Sequence, residues 1–197
     1  MRHTILLSLL LAVGHSAAAQ EPALQTVKAG VSYILFGSGD MTGINYYNEY
    51  NRQLNRFMAF GPSVHLGYGS SDIGYLRFTK ASFALDPNLY FSPMRFDRSK
   101  VRIGVGPSFR FLSDSHPNGY GIYFQGAIPN LPSSMEYVIG PLQYERPQNY
   151  WTVGYTVVLE AELKVATRWM LGARASFQSY TSGETAATLG LNVGYLF

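Results

Sequence analysis

The feature that most constrains this chain is a period-two alternation, repeated in eight segments, whose two phases differ in content. From Val101 to Phe111, the residues Val101, Ile103, Val105, Pro107, Phe109 and Phe111 alternate with Arg102, Gly104, Gly106, Ser108 and Arg110. From Trp151 to Val165, Trp151, Val153, Tyr155, Val157, Leu159, Ala161, Leu163 and Val165 alternate with Thr152, Gly154, Thr156, Val158, Glu160, Glu162 and Lys164. Between Trp169 and Ser179 the apolar set is Trp169, Leu171, Ala173, Ala175 and Phe177, set against Gly172, Arg174, Ser176 and Gln178. Successive side chains of a strand point to opposite faces, so each segment reads as a strand with one apolar face. The same rule places strands at Val27 to Phe36, Ile44 to Leu54, Met58 to Tyr68, Lys80 to Phe91 and Ala187 to Phe197.

Across these segments the polar phase holds Lys28, Glu49, Lys80, Asp86, Arg102, Arg110, Glu160, Glu162, Lys164 and Arg174, whereas the apolar phase holds one charge, Arg52, near a turn. The glycines Gly30, Gly61, Gly67, Gly104, Gly106, Gly154, Gly172, Gly190 and Gly194 also fall on the polar phase. Large rings take the other side: Tyr33, Tyr46, Tyr50, Phe60, Tyr68, Phe83, Phe91, Phe109, Phe111, Trp151, Tyr155, Trp169, Phe177, Tyr195 and Phe197. Composition matters at this point, because the 197 residues are 15% aromatic and only 14% charged. An eight-stranded barrel has room only for side chains or one small ligand. A water-soluble barrel of the lipocalin type is the structural rival, but it would have to fit all those rings inside. The inverted arrangement puts small and polar residues in the lumen and rings against lipid. Most of the segments are ten to twelve residues long, which suits tilted strands crossing a bilayer, and the even count suits antiparallel closure. After residue 20 no apolar run reaches the roughly 20 residues of a transmembrane helix, so a membrane-crossing chain of this kind must close into a barrel. The predicted fold is all-β, an eight-stranded antiparallel up-and-down transmembrane β-barrel.

Residues 1–20, MRHTILLSLLLAVGHSAAAQ, read as a secretory signal peptide: Arg2 and His3 precede the apolar run Ile5 to Val13, and Ala17 and Ala19 form a small-residue cleavage site. Cleavage is expected after Ala19 or Gln20, leaving residues 21–197 as the barrel domain. With no cysteine, neither a lipidated N-terminus nor a disulfide is expected. The formal charge is +3 with the basic residues scattered, so no nucleic-acid footprint is present.

The last strand, ATLGLNVGYLF, runs to an aromatic final residue and resembles the closing strand of bacterial outer-membrane β-barrels, in which a C-terminal Phe is part of an assembly signal. With the eight-strand pattern, the mature chain resembles small outer-membrane proteins such as the OmpA barrel domain and OmpX. The resemblance implies an outer-membrane location and a monomer inserted by the barrel-assembly machinery, with Tyr195 and Phe197 as the assembly signal. It also implies contact with membrane lipid and lipopolysaccharide, and roles in envelope integrity, adhesion or minor solute passage. With Phe197 at the periplasmic rim, Phe60, Phe91, Trp169 and Phe197 fall in an inner aromatic girdle and Tyr46, Tyr68, Phe111, Trp151 and Phe177 in an outer one. Periplasmic turns are expected at Asn55 to Phe57, Ser92 to Lys100 and Ala166 to Arg168. Outer loops are expected at Gly37 to Gly43, Gly69 to Thr79, Leu112 to Tyr150 and Tyr180 to Ala186. In the longest of these the run GYGIYFQG is suited to extend a strand above the membrane, and a connection of that length is usually functional. Pro62 and Pro107 sit on the lipid phase and are expected to mark local bulges.

Chemistry is sought first in the lumen, where six bases (Lys28, Lys80, Arg102, Arg110, Lys164, Arg174) meet four acids (Glu49, Asp86, Glu160, Glu162). A charge inside a narrow barrel has to be paired or hydrated. The two readings are a salt-bridged plug and a narrow path with weak anion preference. Ser63 and His65 project inward two residues apart, but a lipid-modifying enzyme needs its catalytic groups at the lipid, and His65 is on the other phase. His116 reads as a solvated loop residue. No metal-ligand spacing or cofactor fingerprint is present. The expectation is therefore a non-enzymatic integral outer-membrane protein, without cofactor, acting in envelope structure or surface interaction through its outer loops, longest at 112–150. A narrow solute or ion channel is the alternative, and a lipid-modifying enzyme ranks behind both.

Overall fold

The computed structural model describes residues 24–37, 41–73, 76–96, 98–115, 120–124, 137–141 and 146–197. The expected signal peptide lies outside the described residues, as do His116 and most of the long connection. Among the described residues ten strands follow one another: β1 (Gln25–Phe36), β2 (Met41–Gln53), β3 (Met58–Ile73), β4 (Leu76–Arg95), β5 (Ser99–Ser115), β6 (Tyr120–Phe124), β7 (Tyr137–Pro141), β8 (Gln148–Lys164), β9 (Trp169–Tyr180) and β10 (Thr185–Leu196). Eight of them close into a barrel in the order β1-β10-β9-β8-β5-β4-β3-β2, while β6 and β7 pair with each other as a separate two-stranded sheet. Every neighbouring pair is antiparallel.

Closure joins the first strand to the last, from Thr26↔Leu196 up to Phe36↔Ala186, and the Phe197 N–H donates to the Gln25 carbonyl at 3.1 Å. A closed sheet leaves no edge, so each of the eight barrel strands has two hydrogen-bonded neighbours. Gly37 and Gly183 take φ of 68° and 84° in two of the turns, a conformation other residues enter at a cost.

The two phases separate as the composition demands. Leu191 is 71% exposed, Trp151 69% and Ile44 65%, whereas Arg102, Arg174, Lys28, Glu49 and Glu160 are each 2% exposed or less. The largest buried side chains are thus arginines, and the largest exposed ones are apolar, the inverse of a water-soluble domain. Rings pair near both ends of the wall: Phe111 with Trp151 at 5.3 Å at one end, Trp169 with Tyr195 at 5.2 Å and Phe57 with Phe91 at 6.4 Å at the other.

Strand length departs from expectation on one side. β1, β2, β9 and β10 have 12 or 13 residues, but β3, β4, β5 and β8 have 16 to 20. At the usual rise, the 20 residues of β4 run roughly 66 Å against roughly 40 Å for the 12 of β1. The surplus lies mostly at the end bearing the long connection, since β2 stops pairing at Thr42↔Ser70 and β9 at Gly154↔Tyr180. Gly69 to Thr79 is therefore largely a strand hairpin rather than a loop, and the turn between β4 and β5 shrinks to the residues around Phe96 and Arg98. Within 112–150 the run at Tyr120 forms strand, but it pairs with β7 instead of prolonging a barrel strand.

Neither Pro62 nor Pro107 marks a bulge. Pro62 lies opposite Pro87, and the register on either side of Pro87 and Pro107 is unbroken, so the three prolines form a row across β3, β4 and β5. The register instead shifts between Phe91 and Met94, at Pro93. A proline's missing N–H costs its own ladder bond, and the flanking pairs hold the register.

Candidate functional site

Registration brings the lumen charges together. Lys28 lies opposite Glu49, Arg102 opposite Glu160, Glu160 opposite Arg174, and Lys100 opposite Glu162, so opposite charges face each other across five strands. Around this frame the side chains interlock. Lys28 contacts Glu49 at 3.4 Å, Glu160 at 3.0 Å and also Glu162. Arg102 contacts Glu49 and Glu162 at 2.9 Å each, and Glu160 as well. Arg174 reaches Glu49 at 2.7 Å, and Lys100 reaches Glu162 at 2.8 Å from the rim. Three acids and three bases thus form a buried, electrically balanced core with Lys100 at its edge.

Aromatic and amide groups complete it. The Tyr90 ring lies 4.1 Å from the Arg102 guanidinium and its hydroxyl donates to Glu49. The Tyr47 ring lies 4.6 Å from Arg174, and Asn192 donates to the Tyr47 hydroxyl and to Glu160, 2.9 Å each. Asn51 donates to Glu49 at 2.9 Å. Both tyrosines lie opposite glycine, Tyr47 against Gly30 and Tyr90 against Gly104. A Cβ at either glycine would come within 2.5 Å of the ring, so the absent side chains make the space the rings occupy.

Four of the ten predicted lumen charges stand apart from this core. Asp86 accepts from Ser108 at 2.6 Å and Gln178 at 2.7 Å. Arg110 is held between the Phe36 and Tyr180 rings, 5.0 Å from each centroid. Lys80 sits above the ring-lined belt, 3.0 Å from Glu184 and 3.2 Å from Asp114. Burial works against its charge, but these two carboxylates outweigh it and raise the ammonium pKa. Lys164 is exposed at the opposite rim. Lys80 and Lys164 keep the inward phase, but they lie at the two ends of long strands, beyond the enclosed length. Sequence reasoning missed Tyr47, Tyr90, Asn51, Lys100, Asp114 and Glu184; the signal available was a large ring on the polar phase and an acid or base at a presumed turn.

Ser63 and His65 do meet an acid. Ser63 Oγ is 3.1 Å from His65 Nε2, and the same nitrogen is 3.5 Å from Asp86 Oδ2. A relay needs the nucleophile and the orienting acid on opposite nitrogens of the imidazole base, whereas here both share Nε2 and Nδ1 faces the Asn45 amide at 3.3 Å. The imidazole stacks on Tyr47, and all three residues are buried inside the wall. Among the described residues no group of three or more His, Asp or Glu is placed to hold a metal ion.

Toward the end bearing the long connection the lumen turns apolar: Ile34, Phe36, Met41, Leu112 and Ala186 cluster, with Phe78 and Tyr150 packed against them. The barrel is thus filled by an ionic core below and an apolar cap above.

No protein-family model and no curated protein matches the sequence. Solved structures do match in fold. The attachment invasion locus protein Ail of Yersinia pestis, in complex with the heparin analogue sucrose octasulfate, superposes with a TM-score of 0.58 at 9% identity, covering 90% of this chain and 100% of its own. Neisserial surface protein A gives 0.58 at 13% identity, covering 88% and 97%. A major outer membrane protein from Thermus thermophilus gives 0.55 at 12%, covering 90% and 100%. The chain has the fold of the small eight-stranded outer-membrane barrels.

Proposed function

We propose that this chain is an integral outer-membrane barrel that acts at its outer end, in surface attachment or envelope organisation, and neither conducts nor catalyses. The observation that carries this reading is the filled lumen. Six mutually paired charges and an apolar cap occupy the interior that a channel would need, so activity is left to the ends of the barrel. The exposed apolar exterior supports burial in lipid, with lipopolysaccharide about its outer girdle, as a monomer inserted by the barrel-assembly machinery. The tall wall of β3, β4, β5 and β8, with the β6–β7 sheet in its longest connection, supplies a raised outer surface. Ail, an attachment and invasion protein by name, is a precedent for such work on this fold in another protein. The Ser63, His65 and Asp86 geometry favours a structural cluster over a catalytic one.

The experiment is replacement of 117–146 by a short Gly/Ser turn in cells that display the protein. The barrel is expected to keep its heat-modifiable gel migration while adhesion to a host-cell or matrix surface is lost. Unchanged adhesion would contradict the surface role. Steady ion current from the purified, folded protein in planar bilayers would instead establish the channel reading.

A further inference from the structure

The two ends of the barrel differ in charge. At the end carrying the chain termini, Arg52, Arg56, Arg95, Arg98, Lys100, Lys164 and Arg168 surround the mouth, and Glu162, already paired with Lys28, Lys100 and Arg102, is the one acidic side chain there among the described residues. Among the described residues the other end is balanced, with Arg77, Lys80 and Arg146 against Asp72, Asp114 and Glu184. Asp97, next to Arg98 in sequence, and Glu21, shortly before Leu24, lie outside the described residues.

Between these cations opens a cavity of about 210 Å³. Leu24, Phe96, Met170 and Leu196 give it an apolar floor, and Arg95, Arg98, Lys100 and Lys164 line its polar side together with Glu162, whose carboxylate is taken up by Lys28, Lys100 and Arg102. Phe96 is 68% exposed and Leu24 49%, whereas Met170 and Leu196 are buried on the lumen side, so the floor is open along its outer part. Next in sequence to its lining residues Lys164 and Leu196, the side chains of Leu163, Val165 and Phe197 are exposed on the lipid-facing phase. Two of the arginines are already oriented: Arg95 donates to the Arg56 carbonyl at 3.1 Å, tying adjacent turns, and Arg168 donates to the Tyr195 hydroxyl at 3.1 Å.

From this arrangement we infer that the rim binds an anionic phospholipid of the inner leaflet, with its phosphate among Arg95, Arg98 and Lys164 and an acyl chain on the adjoining apolar surface. The inference rests on the outer-membrane reading, which sets this end at the periplasmic interface. A soluble anion would need only converging charges, whereas these cations are strung around the base of the apolar belt and share their cavity with an apolar floor. That combination fits an amphiphile. Guanidinium forks suit phosphate oxygens, and cations beside a bilayer favour anionic lipid additively.

The test is native mass spectrometry of the full folded protein released from detergent in equimolar short-chain phosphatidylglycerol and phosphatidylcholine. Phosphatidylglycerol is expected to be retained over phosphatidylcholine by about tenfold or more. The preference should persist in Arg146→Gln, at the other end, and fall several-fold in an Arg95→Gln/Arg98→Gln/Lys164→Gln variant. Lys164→Gln alone, on an exposed side chain, gives a smaller loss and serves if the triple variant does not fold. Equal retention of the two lipids, or an unchanged preference in a folded rim variant, overturns the inference. Full displacement of phosphatidylglycerol by an equal concentration of glycerol phosphate also overturns it, by making this a site for soluble phosphate. If the chain does not fold as a heat-modifiable barrel in vesicles, the outer-membrane reading itself fails; a folded barrel without lipid preference removes only this inference.

Discussion

Glu49 is the residue on which the ionic core converges, because it contacts Lys28, Arg102 and Arg174 and accepts from Tyr90 and Asn51. Removing one member of a buried ion cluster leaves its partners uncompensated, which costs about 3–5 kcal/mol. Glu49→Ala is therefore expected to lower the unfolding free energy by that amount in urea titrations of the protein in lipid vesicles. Glycine is tested the same way. At Gly104 an added Cβ would stand 2.5 Å from a Tyr90 ring that Glu49 and Arg102 hold in place, whereas at Gly194 the nearest atoms, 3.2 Å away, are the flexible Lys28 and Met170 side chains. Gly104→Ala should cost about 1–3 kcal/mol, and Gly194→Ala distinctly less in the same titration.

Single strands are the most legible level of this structure. The alternation in β5, β8 and β9 assigns every residue to a face, and the exposed Leu191 and buried Asn192 agree with the reading of β10. What the alternation does not carry is register. That Glu160 lies between Arg102 and Arg174 follows from how three strands slide against one another, and the shear of a closed barrel is a property of all eight together. For the same reason the pattern groups Lys80 and Lys164, on the right phase, with charges they do not approach. The extensions of β3 and β4 read as loop because Ser70, Ser71 and Asp72 break the apolar rhythm once the strand has left the belt. At the end of β10 the two rings lie on the outer wall, Phe197 60% exposed and Tyr195 against Trp169 and Arg168, while the strand-closing bonds are made by backbone groups that a side-chain truncation leaves in place. Tyr195→Ala/Phe197→Ala is thus expected to slow insertion by the assembly machinery several-fold, followed as the rise of the heat-modifiable band, while the denaturation midpoint of protein already inserted moves little. A large fall in that midpoint with normal insertion would make the strand end a stability element instead.

At the scale of the whole molecule, charge and ring have exchanged the places they hold in a soluble barrel, and everything proposed depends on lipid surrounding the exterior. The chain reports on this itself, because its only two tryptophans, Trp151 and Trp169, are 69% and 50% exposed and belong to the ring pairs at opposite ends of the wall. Trp151→Phe and Trp169→Phe variants leave one emitter each. In vesicles containing brominated phospholipids, both single-tryptophan proteins are expected to be quenched, most strongly by bromines near the headgroups, and to be little affected by aqueous iodide. A folded barrel whose tryptophans are quenched by iodide and ignore brominated lipid would contradict the account.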